Sequence, residues 1–250
     1  MKVGLLGFGK TGKAVASVLL EHNDFCLEWI YRKSSQLAHR SAAEFLDIHV
    51  QDPSEIISSE QICIEQLILE KPVDIIIDFS SSEAIHSYGE YAAHLGITII
   101  SAISHYTKQE ISCIKKLGKL TKIFWSPNIT FGVNYILFAA KFLKKINPYV
   151  DIEIVEEHFK GKKGISGTAQ KMAEVLDLED HKVNSIRVGG IVGKHEVIFG
   201  FPYQTIRFVH ESISREAFGN GVIFAAKNLL TKPKGYYKYE DLLQEYFVQK

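Results

Sequence analysis

Short apolar runs alternate, along the first half of the chain, with stretches that are apolar at every third or fourth position. Residues 2–6 predict a buried strand, 7–12 a glycine turn, and 13–20 a helix whose Val15, Val18 and Leu19 share one face. A second strand over 26–31 would pair parallel to the first, because a right-handed crossover through the helix is the common way back. Residues 73–79 are mostly Val and Ile, with Asp74 and Asp78 near the ends, which is the pattern of a parallel strand buried on both faces. The same reading predicts a helix over 82–95 with Ser82 as its N-cap, a strand over 97–101, a helix over 108–117 and a strand over 122–125. Such alternation specifies a doubly wound parallel α/β layer.

After Trp125 the rhythm changes. The polar turn Ser126-Pro127-Asn128 leads into a helix over 133–145 that ends near Asn147-Pro148. Beyond it, 151–157, 185–188, 196–201 and 205–212 predict strands around one helix over 166–176. A helix over 217–230 follows, and the Tyr-rich tail over 236–247 predicts a final short helix. One helix amid several strands suggests a second, α+β domain with an open mixed sheet packed on helices.

The turn Gly7-Phe8-Gly9-Lys10-Thr11-Gly12 is G-x-G-x-x-G set between a predicted strand and a predicted helix. Its first glycine permits the tight turn, the second lets a pyrophosphate approach the backbone, and the third allows close helix packing. In this context the motif points to a dinucleotide; alone it would be turn chemistry, and Lys10 and Thr11 could be solvated turn residues. At the end of the second predicted strand the chain reads Tyr31-Arg32-Lys33-Ser34-Ser35, with no acid to bind a ribose 2′-OH. Arg32 and Lys33 beside two hydroxyls suit a 2′-phosphate, which favours NADPH over NADH. The other reading of this segment is a solvated basic loop.

A second informative stretch runs from Glu156-Glu157-His158-Phe159-Lys160 through Lys162 to Ser166-Gly167-Thr168-Ala169. A strand delivers His158, a glycine-bearing loop carries Lys162, and Ser166-Gly167-Thr168 opens a helix whose first N–H groups can hold a carboxylate. His158 can donate a proton near neutral pH, and Lys162 can bind an anion or share in the transfer. A lone His at a strand end can equally be a satisfied structural residue, as His195 and His210 on later strands are expected to be.

Composition narrows the possibilities. The 250 residues are 46% hydrophobic and 23% charged, which excludes disorder as the dominant state. Lys plus Arg and Asp plus Glu both number 29, so no charge excess recommends nucleic acid or anionic lipid as a partner. The apolar runs fall far short of the ~20 residues that span a bilayer, and the first residues pass straight into strand and glycine, so the expected location is cytoplasmic. Cys26, Cys63 and Cys113 have no C-x-x-C spacing and are expected to be reduced, buried thiols. No His, Cys or acidic cluster has ligand spacing in the sequence, so no metal is expected.

Several of these segments together resemble the 4-hydroxy-tetrahydrodipicolinate (dihydrodipicolinate) reductase family. That family has the early glycine turn, an E-x-H-H-x-x-K loop followed by S-G-T-A, an R-x-G-x-I-V-G-x-H-x-V-x-F segment, and H-x-x-x-S-R-x-x-F-x-x-G. Here these appear as 7–12, as Glu156, His158, Lys162 and 166–169, as 187–199, and as His210, Ser214, Arg215, Phe218 and Gly221. Its N-F-S-x-G-V-N hinge is Asn128-Ile129-Thr130-Phe131-Gly132-Val133-Asn134. The resemblance implies a Rossmann domain over 1–127, a substrate and oligomerisation domain over 128–230, and a tail over 231–250 returning to the first domain. It implies NAD(P)H-dependent reduction of a cyclic dicarboxylate imine in diaminopimelate and L-lysine biosynthesis, by a homotetramer. His158 would be the acid/base and Lys162 its assistant. Phe159, Ser166, Gly167 and Thr168 would lie at the substrate. Ser101, Ala102, Ile103, Ser126, Pro127, Asn128 and Ile129 would join the glycine turn and Arg32 at the cofactor. Two departures stand out. Phe159 replaces the family's second histidine, and Ser101-Ala102-Ile103-Ser104 replaces G-T-T-G beside the nicotinamide. They motivate one rival reading, a non-catalytic NADP-sensing protein that keeps the fold.

Overall fold

The apolar stretches of the first half lie side by side as parallel strands in a computed structural model that describes residues 1–247. These are β1 (Lys2–Leu6), β2 (Cys26–Arg32), β3 (Glu55–Ser58), β4 (Ile75–Asp78), β5 (Thr98–Ser101) and β6 (Lys122–Trp125), joined by a tail strand, β11 (Gly235–Tyr237). The sheet order is β11-β6-β5-β4-β1-β2-β3, and every pairing is parallel. The chain leaves β1 toward β2 and β3 and then resumes on the other side of β1 with β4, so the direction of winding reverses between β1 and β4. The helices between the strands are α1 (Lys10–Leu20), α2 (Ala42–Phe45), α3 (Ile64–Glu70), α4 (Ile85–His94) and α5 (Lys108–Leu117). The apolar faces of α3, α4 and α5, with Tyr88 of α4 among them, close over Trp29, Ile76 and Ile99, all buried.

Local chemistry sets the helix starts, and in one place not as expected. Ser82 does not cap α4: Ser82–Ala84 forms a 3₁₀ turn, and α4 starts behind Ala84 with no side-chain cap. α5 has a capping box, in which Thr107 Oγ1 accepts from Glu110 N–H at 3.3 Å and Glu110 Oε2 accepts from Thr107 N–H at 2.6 Å. The cysteines also differ from expectation. All three are free thiols, but Cys26 and Cys113 are half-buried and Cys63, ahead of α3, is exposed.

The tail is a strand and a helix rather than one helix. β11 pairs with β6, and α9 (Tyr239–Phe247) follows, with Tyr239 Oη donating to Ile129 O at 2.8 Å and Gly221 O at 3.2 Å. α8 (Glu216–Leu229) packs its small buried residues on the same unit: a Cβ at Gly219 would lie 2.6 Å from Val18 of α1. Lys122 Nζ donates to the last carbonyls of α8 and beyond, Leu229 O at 2.8 Å and Leu230 O at 2.9 Å, where a cation complements the helix dipole. The chain therefore divides into one unit of Met1–Thr130 with everything from Phe218 onward, and another of Phe131–Ala217. Residues 218–230 fall in the first of these units.

The second unit contains α6 (Phe131–Ile146), β7 (Asp151–His158), α7 (Gly167–Val175), β8 (Val183–Arg187), β9 (Lys194–Phe201) and β10 (Gln204–Glu211). Its sheet runs β10-β9-β7-β8, with β7 and β8 parallel and the other pairs antiparallel. Residues of β7 and β9 alternate strictly between buried and half-exposed, so Ile152, Ile154, Val197 and Phe199 meet α6 and α7 on one face. Among the described residues no helix is long and apolar enough to cross a membrane.

Gly221 offers a test of the tail's docking. Glycine inside a helix ordinarily costs stability relative to alanine, but here a Cβ would run into the Ile129 carbonyl and lie 3.1 Å from Tyr239 Oη. Gly221→Ala should destabilise by about 1–3 kcal/mol, seen as a lowered Tm in thermal denaturation. An unchanged or raised Tm would mean that α8 and the Ile129 segment are not so closely apposed.

Candidate active site

Two sets of side chains carry chemistry, one in each unit. In the first unit Gly7 ends β1 with φ +94°, donates its N–H to Tyr31 O at 2.9 Å, and leaves no room for a side chain, since a Cβ would sit 2.7 Å from Phe79 O. Gly12, inside α1, lies against the Gly7 carbonyl. Gly9 is the N-cap of α1 without a side-chain cap, and a Cβ there would meet nothing within 4 Å. The result is a tight turn, an open space and a helix start with uncapped N–H groups, which fits a pyrophosphate. Phe8 is buried, edge-on to Phe45 at 5.7 Å, while Lys10 and Thr11 begin the helix.

Arg32 ends β2, and the following loop is tied to β3 through Ser59 N–H to Arg32 O at 2.9 Å and Ser58 Oγ to Lys33 O at 3.2 Å. Ser101 ends β5, so Ser101, Ala102 and Ile103 lie at the carboxyl edge of the sheet. Side chains hold this segment in place. Ser101 Oγ meets Tyr106 Oη at 2.8 Å, and Trp125 Nε1 donates to Ile103 O at 2.8 Å. After β6, Ser126 Oγ donates to Asn128 O at 2.6 Å, and Asn128 Oδ1 accepts from Thr130 Oγ1 at 2.8 Å, which shapes the turn through Pro127 to Ile129.

In the second unit the register of three strands assembles the other set. Glu156 and His158 are two residues apart on β7 and point to the same buried face. Glu156 stands opposite Ser185 of β8 and His195 of β9, and His158 opposite Arg187 of β8. Glu156 Oε1 accepts from Ser185 Oγ at 2.6 Å, from Ser166 N–H at 3.3 Å and from the Arg187 guanidinium. Its Oε2 lies 2.8 Å from His158 Nδ1, a contact that becomes an ion pair only when the imidazole is protonated, and neither atom has a hydrogen-bond partner elsewhere among the described residues. Burial opposes the Glu156 charge, but the Ser185, Arg187 and Ser166 hydrogen bonds and the His158 charge outweigh it and hold the carboxyl at about 2. For His158 burial dominates and lowers the pKa below the ordinary histidine value; Glu156 pulls it up, and Lys162 and Arg187 push it down.

His195 stacks edge-on to His158 with ring centroids 5.1 Å apart, and its Nε2 lies 3.0 Å from Ser166 Oγ. That hydroxyl accepts from Ala169 N–H at 3.1 Å as the N-cap of α7. Burial and the neighbouring His158 lower the His195 pKa to about 4, so the ring is neutral near pH 7, and its buried Nδ1 has no hydrogen-bond partner among the described residues. Beside this cap Gly167 is exposed and open, with nothing within 4 Å of a would-be Cβ, and Thr168 is half-buried.

Arg187 also donates to Lys162 O at 3.1 Å and Gly164 O at 2.6 Å, clamping the loop that carries Lys162. Lys162 is half-buried and close enough to oppose protonation of His158. Phe159 is 47% exposed, so the residue replacing the family's second histidine is turned largely to solvent. The ring of His210 packs where any Cβ on Gly132 would fall, and its buried Nδ1 has no hydrogen-bond partner among the described residues.

Sequence reasoning gave no role to Glu156, Ser185, Arg187 or His195. The available signal was Glu156 at i−2 from His158 on a strand, which puts the two on one face. Glu156, His158 and His195 have side-chain atoms within 4.8 Å of one another, a cluster that the sequence spacing did not reveal. Arg187 already neutralises Glu156, and Lys162 adds a second cation, a setting suited to an anionic ligand rather than to a metal ion.

Known proteins share this arrangement of units. Family models for dihydrodipicolinate reductase match the chain over residues 1–129 (N-terminus) and 132–243 (C-terminus). A 4-hydroxy-tetrahydrodipicolinate reductase of Caldanaerobacter subterraneus subsp. tengcongensis is 34% identical over 199 residues, covering 71% of this chain and 79% of its own length. That of Staphylococcus aureus is 27% identical over 269 residues, covering 97% and 100%. The solved structure of a dipicolinate-bound dihydrodipicolinate reductase from Paenisporosarcina sp. TG-14 superposes with a TM-score of 0.79 at 17% identity, over 95% of this chain and 97% of that one. With both halves matched in order, the chain belongs to the dihydrodipicolinate reductase family.

Proposed function

We propose that the protein reduces 4-hydroxy-tetrahydrodipicolinate, through its dehydrated cyclic imine, to tetrahydrodipicolinate at the expense of NADPH. The observation that carries the reading is a buried acid/base pair, Glu156 and His158, next to the capped start of α7 and two cations. A dicarboxylate needs cations and helix N–H groups to hold it, and a ring that has accepted a hydride needs a proton.

The nicotinamide, when bound, supplies the hydride; everything else falls to side chains. Gly7, Gly9 and Gly12 with the first N–H groups of α1 hold the pyrophosphate, Arg32 meets the 2′-phosphate, and Ser101 to Ile103 with Ser126 to Ile129 line the nicotinamide. Ser166, Gly167 and Thr168 at the start of α7 bind one substrate carboxylate, with Phe159 at the mouth of this subsite. Lys162 binds the anion or assists the proton transfer. His158 gives the proton. The two negative charges of the substrate raise the His158 pKa from its lowered value, so the donor is charged when substrate is present and not before. The reading carries with it a cytoplasmic location.

A coupled assay tests this. A synthase supplies the condensation product of pyruvate and aspartate semialdehyde, and loss of reduced-nicotinamide absorbance is followed. Oxidation should depend on substrate, with His158→Ala lowering kcat by about 10²–10⁴-fold and Lys162→Ala also losing activity. Arg32→Ala should weaken NADPH by roughly 10–100-fold, the worth of a charge-assisted hydrogen bond, and leave NADH unchanged. Nucleotide binding without oxidation in the wild type would instead support the sensing protein, with Phe159 as the reason.

We also propose a homotetramer, on the family likeness and on the apolar side chains Val209, Ile186 and Val188, which are 51%, 44% and 53% exposed on or next to the outer strands of the four-strand sheet. Sedimentation velocity should give one species of four chains, and a monomer at micromolar concentration would refute it.

A further inference from the structure

The family motifs leave Glu156 and Arg187 without a task, and the geometry supplies one. Glu156 is fully buried, and its two oxygens face different groups. Oε1 receives Ser166 N–H, Ser185 Oγ and the Arg187 guanidinium, which in turn grips the carbonyls of Lys162 and Gly164. Oε2 lies 2.8 Å from His158 Nδ1 and has no other polar partner among the described residues. A buried carboxylate oxygen and a buried imidazole nitrogen satisfy each other only when the nitrogen bears a proton. That leaves Nε2 as the atom that gives or takes a proton. Nε2 faces Gly193, where a Cβ would lie 3.0 Å from it, so a side chain there would crowd that nitrogen.

Resting on the reductase reading above, we propose that Glu156 is a positioning residue for the reaction. Its Oε2 fixes the Nδ1–H form of His158 and presents Nε2 as the donor, while its Oε1 fixes the start of α7 and the Lys162 loop. One side chain thus sets the proton donor and the anion-binding groups in a common frame. The charged and titratable groups facing His158 are Glu156 on its own strand, Arg187 on β8, His195 on β9 and Lys162 on the loop. Of these only Glu156 favours the imidazolium. An opposite charge this close raises a pKa by about one to three units, so removing it should cut the protonated fraction of His158 near neutral pH by about tenfold or more.

The test pairs ¹⁵N NMR of the histidine rings with the reductase assay, on wild type, Glu156→Gln and Glu156→Asp. In the wild type without substrate, neutral His158 should carry its proton on Nδ1. A bare Nδ1 with Nε2–H would overturn the proposal and needs no variant that folds. In Glu156→Gln the His158 titration should move to lower pH by about one unit or more. The basic-side limb of kcat should move with it, so that the roughly tenfold or greater deficit at neutral pH shrinks as the pH falls. Glu156→Asp, which keeps the charge, should recover part of the rate. A deficit that is the same at every pH, or a His158 titration that does not move, would make Glu156 a structural residue only. Absence of turnover in the wild type would count against the reductase reading, while the NMR arm would still decide the role of Glu156.

Discussion

A carboxylate with no surface exposed to water is a severe constraint, because its charge must be met inside the protein or the fold loses several kcal/mol. Glu156 is such a group, and most of what is distinctive in the second unit answers it. The mixed sheet puts β8 on one side of β7 and β9 on the other, which brings Ser185 and His195 opposite Glu156 and Arg187 opposite His158. The turn before α7 contributes Ser166 N–H. Replacing this network with apolar residues of similar volume would often be neutral for stability. Its retention at the polar end of an otherwise apolar face, beyond Ile152 and Ile154, is therefore best explained by chemistry.

The first unit solves a different problem with fewer charges. A phosphate is held by backbone, so what matters is how closely backbone can approach. Gly7 at positive φ against the Phe79 carbonyl, Gly12 against Gly7, and the open space at Gly9 are all statements about missing side chains. At the carboxyl edge of β5 the chain ties its backbone down with Tyr106 and Trp125. The backbone course at 101–103 is thus fixed by side-chain hydrogen bonds instead of by the absence of side chains.

Much of this was legible in the sequence where a signal is local. The apolar runs of β1, β5 and β6, the strict alternation of β7 and the glycine turn all carry their structure in a few residues. β3 and α3 were not legible: β3 is four residues long and follows Pro53, and α3 is seven residues with no side-chain cap. β11 reads as part of a helix because nothing in Gly235 to Tyr237 announces a partner as distant as β6. The site divides the same way. His158, Lys162 and Ser166 to Thr168 are neighbours in sequence, whereas the contributions of Arg187 and His195 depend on strand register, which no local pattern fixes. Motif resemblance marked both residues without saying what either one touches.

The central claim is that a dicarboxylate binds beside a histidine that is neutral until the ligand arrives. Calorimetric titration of the wild-type protein with pyridine-2,6-dicarboxylate, near neutral pH and in buffers of different ionisation enthalpy, measures that directly. The account predicts net proton uptake on binding, lost in His158→Ala. Binding with no uptake in any buffer, or uptake that survives loss of His158, would contradict it.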